Sequence, residues 1–241
     1  MMTKPISPVV LTWQILARST WLTFTLFWGV SGILTVLLLA VDSPGIRSSY
    51  WEQVFEALNI YAFVVGVRVT YGHLTILMNH GVTRKQMALA TLLFALVFTL
   101  ANGIMMGIGF ALEHAAYSSN AWQEAFAQPH LFKTAVDFPA IVAEGLILSA
   151  STFLGGHFIA TTFYRFGKII GMFSIGLYLL ISFSLEVRSY SNAIVTFTSD
   201  LTRKSDFTAA EFFLWNGGGI ALLALLIQYM LQTTEIKAKT R

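Results

Sequence analysis

Apolar residues in this chain gather into long runs separated by short polar connections. A helix needs about 20 mostly apolar residues to cross roughly 30 Å of hydrocarbon. Six runs fit that description: 21–41, 57–78, 86–112, 138–162, 169–185 and 209–231. The runs 21–41 and 86–112 carry no charge, and 169–185 is short and uncharged. The run 57–78 carries Arg68 and His73, 138–162 carries Glu144 and His157, and 209–231 carries Glu211 near its start. The pattern predicts an all-α integral membrane protein with six transmembrane helices, forming one membrane domain over residues 1–241. The first run is too long for the apolar part of a signal peptide and no A-x-A site follows it, so it reads as a retained helix. The connections leave no room for a separate soluble domain.

Composition narrows the class. Of 241 residues, 56% are hydrophobic, and 11% are charged against roughly 25% in soluble domains. With a mean hydropathy of +0.68, the chain lacks the polar surface of a soluble enzyme. Disorder, collagen and coiled coil are excluded by the same composition. The absence of cysteine removes disulfides, thiolate metal sites and a cysteine nucleophile. A net charge of +3 gives no basic stripe for nucleic acid.

Charge placement sets the topology. One side of the six spans holds Lys4, Arg18, Arg84, Lys85, Arg165, Lys168, Lys237, Lys239 and Arg241 against a single acid, Glu235. The other holds Arg47, Lys133, Arg188, Arg203 and Lys204 against Asp42, Glu52, Glu113, Glu124, Asp137, Glu186, Asp200, Asp206 and Glu211. Basic residues in short loops stay cytoplasmic, so both termini are expected inside, and the excess of base is a topology signal.

The connections carry further detail. Ser7 suits a helix N-cap and Pro8 the first helical position, with Val9, Trp13 and Leu16 on one face. Residues 7–19 read as an amphipathic helix on the cytoplasmic membrane surface, or else as the first turns of the first span. In the next cytoplasmic segment, Asn79-His80-Gly81-Val82-Thr83-Arg84-Lys85-Gln86, Gly81 can end a helix in a left-handed conformation. Thr83 and Gln86 then form a T-x-x-Q capping box that restarts one at once. This predicts a rigid, basic knob, or an ordinary tight turn whose Arg84 and Lys85 only set topology. On the outer side, Asn120 is placed to cap a short helix over 121–128 ended by Pro129, and Thr208 with Glu211 to start the last span. Residues 187–207 are polar with scattered apolar positions, and could gate a pathway or merely pack.

Inside the spans, Arg68 stands out, because a mid-membrane Arg costs about 2.5–3.5 kcal/mol on insertion scales. It is expected to line a cavity or a subunit interface, or to be buried among carbonyls and hydroxyls; a pair with Glu144 would need tilt or a water bridge. His73 and His157 make a poor metal site, and His73 reads as a packing residue. Gly103 and Gly107, and again Gly167 and Gly171, have the spacing that lets helices approach closely. No phosphate-binding loop, H-E-x-x-H, G-x-S-x-G or dinucleotide fingerprint is present, and no evident internal repeat supports a secondary transporter.

An amphipathic start at Pro8–Ser19, six spans with both ends inside, and Gly81-Val82-Thr83-Arg84-Lys85 after the second span resemble the permease subunits of ABC type-2 exporters. The resemblance implies that residues 79–86 dock into a separate ABC ATPase subunit, with Gly81 and Thr83 shaping the turn and Arg84 and Lys85 pairing with acidic groups. It implies that ATP and magnesium are bound by that partner chain, and that this chain has no catalytic site, cofactor or metal of its own. A second permease copy or a related permease would complete the transporter in a bacterial plasma membrane, with Arg68 and Glu144 near the pathway or dimer seam. The cargo would be amphipathic: a drug, peptide or lipid. The competing readings are a non-transporting membrane scaffold or sensor, and a stand-alone secondary transporter.

Overall fold

Long apolar runs without internal proline make long helices. The structure, a computed structural model, describes residues 7–40, 46–120, 122–125, 130–132, 134–180 and 209–233. The helices are α1 (Pro8–Ala40), α2 (Tyr50–Arg68), α3 (Thr75–Asn79), α4 (Arg84–Ser119), α5 (Phe138–Phe166), α6 (Lys168–Leu180) and α7 (Ala209–Thr233). A π-helical stretch, Val69–Leu74, joins α2 to α3 without a break. Two three-residue strands, β1 (Ile46–Ser48) and β2 (Gln123–Ala125), pair in parallel at one end of the bundle. That end is called the strand end below; the opposite one carries residues 79–86 and is called the turn end.

Five segments are long and apolar enough to cross a membrane: Pro8–Leu39, Tyr50–Asn79, Arg84–Ser119, Phe138–Phe166 and Phe213–Gln232. By length and composition this is a multi-pass membrane protein. The expected fifth span, 169–185, begins as α6, a shorter apolar helix, and its last five positions lie outside the described residues. The segment 187–207 and Thr208 lie outside them as well.

The first helix corrects an expectation. Residues 7–19 do not form a separate interfacial helix: α1 is continuous over 33 residues. Nothing between Trp13 and Trp21 breaks a helix, and the Ser19 and Thr20 hydroxyls turn back onto the Leu16 carbonyl instead of ending the turn. At 1.5 Å per residue α1 is about 50 Å long, longer than the roughly 30 Å of a hydrocarbon layer. The start is as expected, with Pro8 in the first turn and Leu11 N–H donating to the Ser7 carbonyl.

The fifth helix organises the bundle. Every residue from Phe153 to Thr162 is buried, so α5 is covered on all sides there, as a central helix must be. Glycine makes this possible. A Cβ on Gly66 or Gly156 would overlap the backbone of the facing helix in the α2–α5 seam, and one on Gly103 would lie 2.6 Å from the Val142 carbonyl oxygen of α5. Gly167 does something different: its φ of +85° ends α5 and sends α6 back antiparallel. Gly171 then lies against the Phe163 ring and Gly155 against Tyr178. The 167–171 spacing is thus a helix break followed by ring packing, not a backbone seam.

Two hydrophobic clusters fill the interior. Leu16, Leu77, Met87, Phe94, Phe98, Phe153, Ile227 and Met230 belong to the one toward the turn end. Trp28, Trp51, Phe55, Met106, Phe110, Phe132 and Ile141 belong to the one toward the strand end. By contrast α1, α6 and α7 present many exposed large apolar side chains, among them Trp21, Leu22, Ile169, Phe173, Leu180, Leu214 and Leu225.

Candidate functional sites

The turn end is built from local stop and start signals. At the end of α3 the Gly81 N–H donates to the Met78 carbonyl at 3.1 Å and the Val82 N–H to the Leu77 carbonyl at 3.2 Å, with Gly81 at φ +82°. This pair of bonds around a left-handed glycine is a Schellman motif. Thr83 then opens α4 with a reciprocal capping box: its hydroxyl accepts from the Gln86 N–H at 3.3 Å and its own N–H donates to the Gln86 side chain at 2.9 Å. Val82 packs on the cluster that contains Leu77 and Met87, tying the turn to both helices. Helix α4 thus restarts soon after α3 ends, with the orphan backbone groups of both ends partly satisfied. Asn79, His80, Gly81, Thr83 and Lys85 are exposed; Val82, Arg84 and Gln86 are half-buried.

Arg84 also has a partner within the chain. Its Nη1 donates to the Gln232 carbonyl at 3.4 Å, and Arg165 Nη1 donates to the Met230 carbonyl at 3.4 Å. Both cations therefore sit at the last turn of α7, where unpaired carbonyls and the helix dipole favour positive charge. Lys85 is the more exposed of the two cations of the turn, and Arg84 is half-buried.

The strand end holds a polar cluster that sequence reasoning missed. Glu52 from α2 and Glu144 from α5 flank His130 of the α4–α5 connection: His130 Nε2 is 3.0 Å from Glu52 Oε1 and Nδ1 is 3.1 Å from Glu144 Oε1. All three side chains are more than nine-tenths buried. The Leu131 N–H donates to Glu144 Oε2 at 2.8 Å. The His130 ring stacks on Phe132 at 4.5 Å and meets the edges of Phe55 and Phe110. His130 lies between spans. Burial on its own lowers its pKa, but the hydrogen bonds and charges of Glu144 and then Glu52 outweigh that, and the net shift is upward. Both ring nitrogens point to different carboxylates, and among the described residues no three His, Asp or Glu converge on a metal position.

A neighbouring carboxylate closes the start of α2. Glu113 of α4 accepts from the Ser49 hydroxyl at 2.6 Å, the Tyr50 N–H at 2.7 Å and the Tyr117 hydroxyl at 3.1 Å. Ser49 is the N-cap residue but makes no side-chain cap of its own; Glu113 does that work from another helix. Asn120, expected to start a helix over 121–128, instead ends α4: its backbone and side-chain N–H groups both donate to the Ala116 carbonyl. Residues 123–125 of that expected helix are the extended strand β2, because β1 offers them a backbone partner.

Comparisons with protein-family models, curated proteins and solved structures give no match. The remaining expected residues are therefore placed by geometry alone. Arg68 is exposed at the end of α2, so it is not the buried, carbonyl-satisfied arginine that was one reading, and it is not paired with the buried Glu144. Gly72 packs beside its aliphatic stem. His73 accepts or donates a 2.9 Å hydrogen bond with Ser19 of α1, the packing role expected of it. His157, fully buried, bonds Thr70 of the π-helical stretch at 2.7 Å, and Thr70 reaches Thr161 at 3.3 Å.

Proposed function

We propose that this chain is the membrane-embedded permease subunit of an ATP-driven exporter of the ABC type-2 kind, housed in a bacterial plasma membrane with both termini cytoplasmic and powered by a separate ATPase subunit. The reading rests on one observation: a basic, exposed turn at residues 79–86, closed on one side by a Schellman motif and on the other by a reciprocal capping box. A connection that only joined two spans could be loose. This one is tied by backbone and capping hydrogen bonds to both α3 and α4, as a coupling element would need to be. Lys85 and His80 are the exposed groups an acidic cleft on the ATPase would meet.

Partner contact would reach α7 through Arg84 and α5 through Arg165, since both hold the end of α7. The exposed apolar faces of α1, α6 and α7 suit lipid and a second permease copy or a related permease. A cargo of amphipathic, drug-, peptide- or lipid-like chemistry suits a bundle rich in aromatic side chains and poor in charge.

Purification of the full chain in mild detergent, with every copurifying chain identified, tests this. The expected result is an ATPase subunit carrying nucleotide-binding motifs, whose hydrolysis is stimulated by the permease. Thr83→Pro and Lys85→Glu should remove that stimulation while the protein still folds. Normal stimulation in both variants, or ion-driven transport by the chain alone in vesicles, would sink the proposal.

A further inference from the structure

The strand-end cluster has no part in the proposed coupling, and its stereochemistry carries a proton count. An ionised carboxylate only accepts hydrogen bonds, and a neutral imidazole has one N–H. His130 nevertheless faces a carboxylate oxygen with each ring nitrogen, at 3.0 and 3.1 Å. Both contacts can be hydrogen bonds in two ways. Either the ring is an imidazolium between two carboxylates, or it is neutral and one glutamate is a carboxylic acid. In both cases the trio holds one proton more than a neutral ring and two carboxylates.

We propose that Glu52, His130 and Glu144 form a proton-binding latch, which clamps residues 130–132 and 134–135 onto the strand end of the bundle and releases them when the shared proton leaves. The clamp has three parts. The ring bridges α2 to α5. The Leu131 N–H adds a second tie to Glu144. Phe132 and Ala135, next along the connection, are buried at 3% and 1% exposure. Loss of the proton leaves two buried carboxylates facing a ring that can donate to only one of them, inside a sleeve of Phe55, Phe110 and Phe132 where such repulsion is poorly screened.

Among the described residues, each element packed on the ring supplies charged or titratable groups. Helix α2 supplies Glu52, with Glu56 exposed one turn along. Helix α5 supplies Glu144. Helix α4 supplies Phe110 and, three residues on, Glu113, which is engaged by Ser49, Tyr50 and Tyr117. The upward shift of His130 agrees with an imidazolium held by the two glutamates. The ligand of the site is the proton itself, drawn from the aqueous side that the strand end faces.

The test uses the full chain in nanodiscs. Histidine-labelled protein is titrated by NMR, with Glu144→Gln and His130→Gln as variants; His130→Gln identifies the signal among the five histidines. His130 is expected to stay protonated above the ordinary histidine range, and Glu144→Gln to lower its midpoint by roughly one unit or more. The chain has no cysteine, so Ala135→Cys and Thr134→Cys can be made singly and labelled with an impermeant maleimide. Position 135 is buried and position 134 exposed, and the ratio of labelling at the first to labelling at the second cancels the pH dependence of thiol chemistry. It should rise several-fold as pH passes the His130 midpoint, and stay high at every pH in His130→Gln. A His130 midpoint at or below the ordinary histidine value of about 6.5, or a labelling ratio flat with pH in the wild-type background, would overturn the latch. The measurements made without His130→Gln decide the matter even if that variant fails to fold.

Discussion

Gly66 and Gly156 face each other's helices in a reciprocal arrangement: a Cβ on Gly66 would overlap the Phe153 carbonyl oxygen, and a Cβ on Gly156 the Phe63 carbonyl oxygen. Each glycine thus lies on the backbone three residues before the other, which locks the register of α2 against α5. Backbone cannot swing aside as a side chain does, so either change to alanine must separate the helices. Gly66→Ala and Gly156→Ala should each destabilise by about 1–3 kcal/mol, the usual range for overpacking. Gly217→Ala and Gly218→Ala meet open space and should be neutral or gain up to about 1 kcal/mol of helix propensity. Thermal unfolding in one detergent, compared across the four variants, checks the contrast.

Removing the Glu113 carboxylate should be among the more damaging polar changes. It accepts from Ser49, Tyr50 and Tyr117, and its loss strands the first backbone N–H groups of α2 beside a buried hydroxyl. Charged hydrogen bonds contribute about 1.5–3 kcal/mol each and an unsatisfied buried group costs about 1–3 kcal/mol. Glu113→Ala should therefore lose about 2 kcal/mol or more, and Tyr117→Phe about 1 kcal/mol or less. Equal losses in the two variants would refute the cap.

What the sequence made readable was local. The spans follow from apolar runs, and the 79–86 turn from Gly81, Thr83 and Gln86, whose signals act over three or four residues. Signals that serve two purposes misled: Asn120 can open or close a helix, and here it closes one; Gly167 can line a seam or break a helix, and here its positive φ breaks it. The His130 cluster was out of reach for another reason. Glu52 and His130 are 78 residues apart in sequence, and only the packing of α2, α5 and the α4–α5 connection brings them together. The one hint was Glu144 itself, a carboxylate in a span whose pairing with Arg68 would have needed tilt or a water bridge.

Stability should depend on pH through His130. Its folded pKa lies above the ordinary 6.5, so the pair with Glu144 and Glu52 contributes fully below that ordinary value. The contribution is lost as pH rises through the raised folded value. Thermal midpoints of wild type should therefore fall relative to His130→Gln as pH rises above the ordinary histidine value, and the two curves should run closer together at high pH than at about pH 6. A constant offset from acid to alkaline pH would show that no folding-linked proton resides there.

The end of α7 should loosen when its cations are removed. Arg84 and Arg165 each donate to a carbonyl of its last turn at 3.4 Å, long bonds at a partly exposed helix end. Arg165 also lies 4.7 Å from the Phe166 ring centre and 5.9 Å from that of Tyr229, so it contributes packing as well as charge. Global stability should change by less than about 1 kcal/mol in Arg84→Gln, as for a helix-dipole contact near the surface. Local opening is the sensitive readout: hydrogen exchange at residues 230–233 should accelerate in Arg84→Gln, further in Arg165→Gln, and most in the double variant, while the core of α5 keeps its protection. Of the two bonds, that of Arg84 links the 79–86 turn directly to α7, and that of Arg165 links α5 to it. Unchanged exchange in the double variant would mean that α7 is held by its apolar packing against α4 and α5 alone.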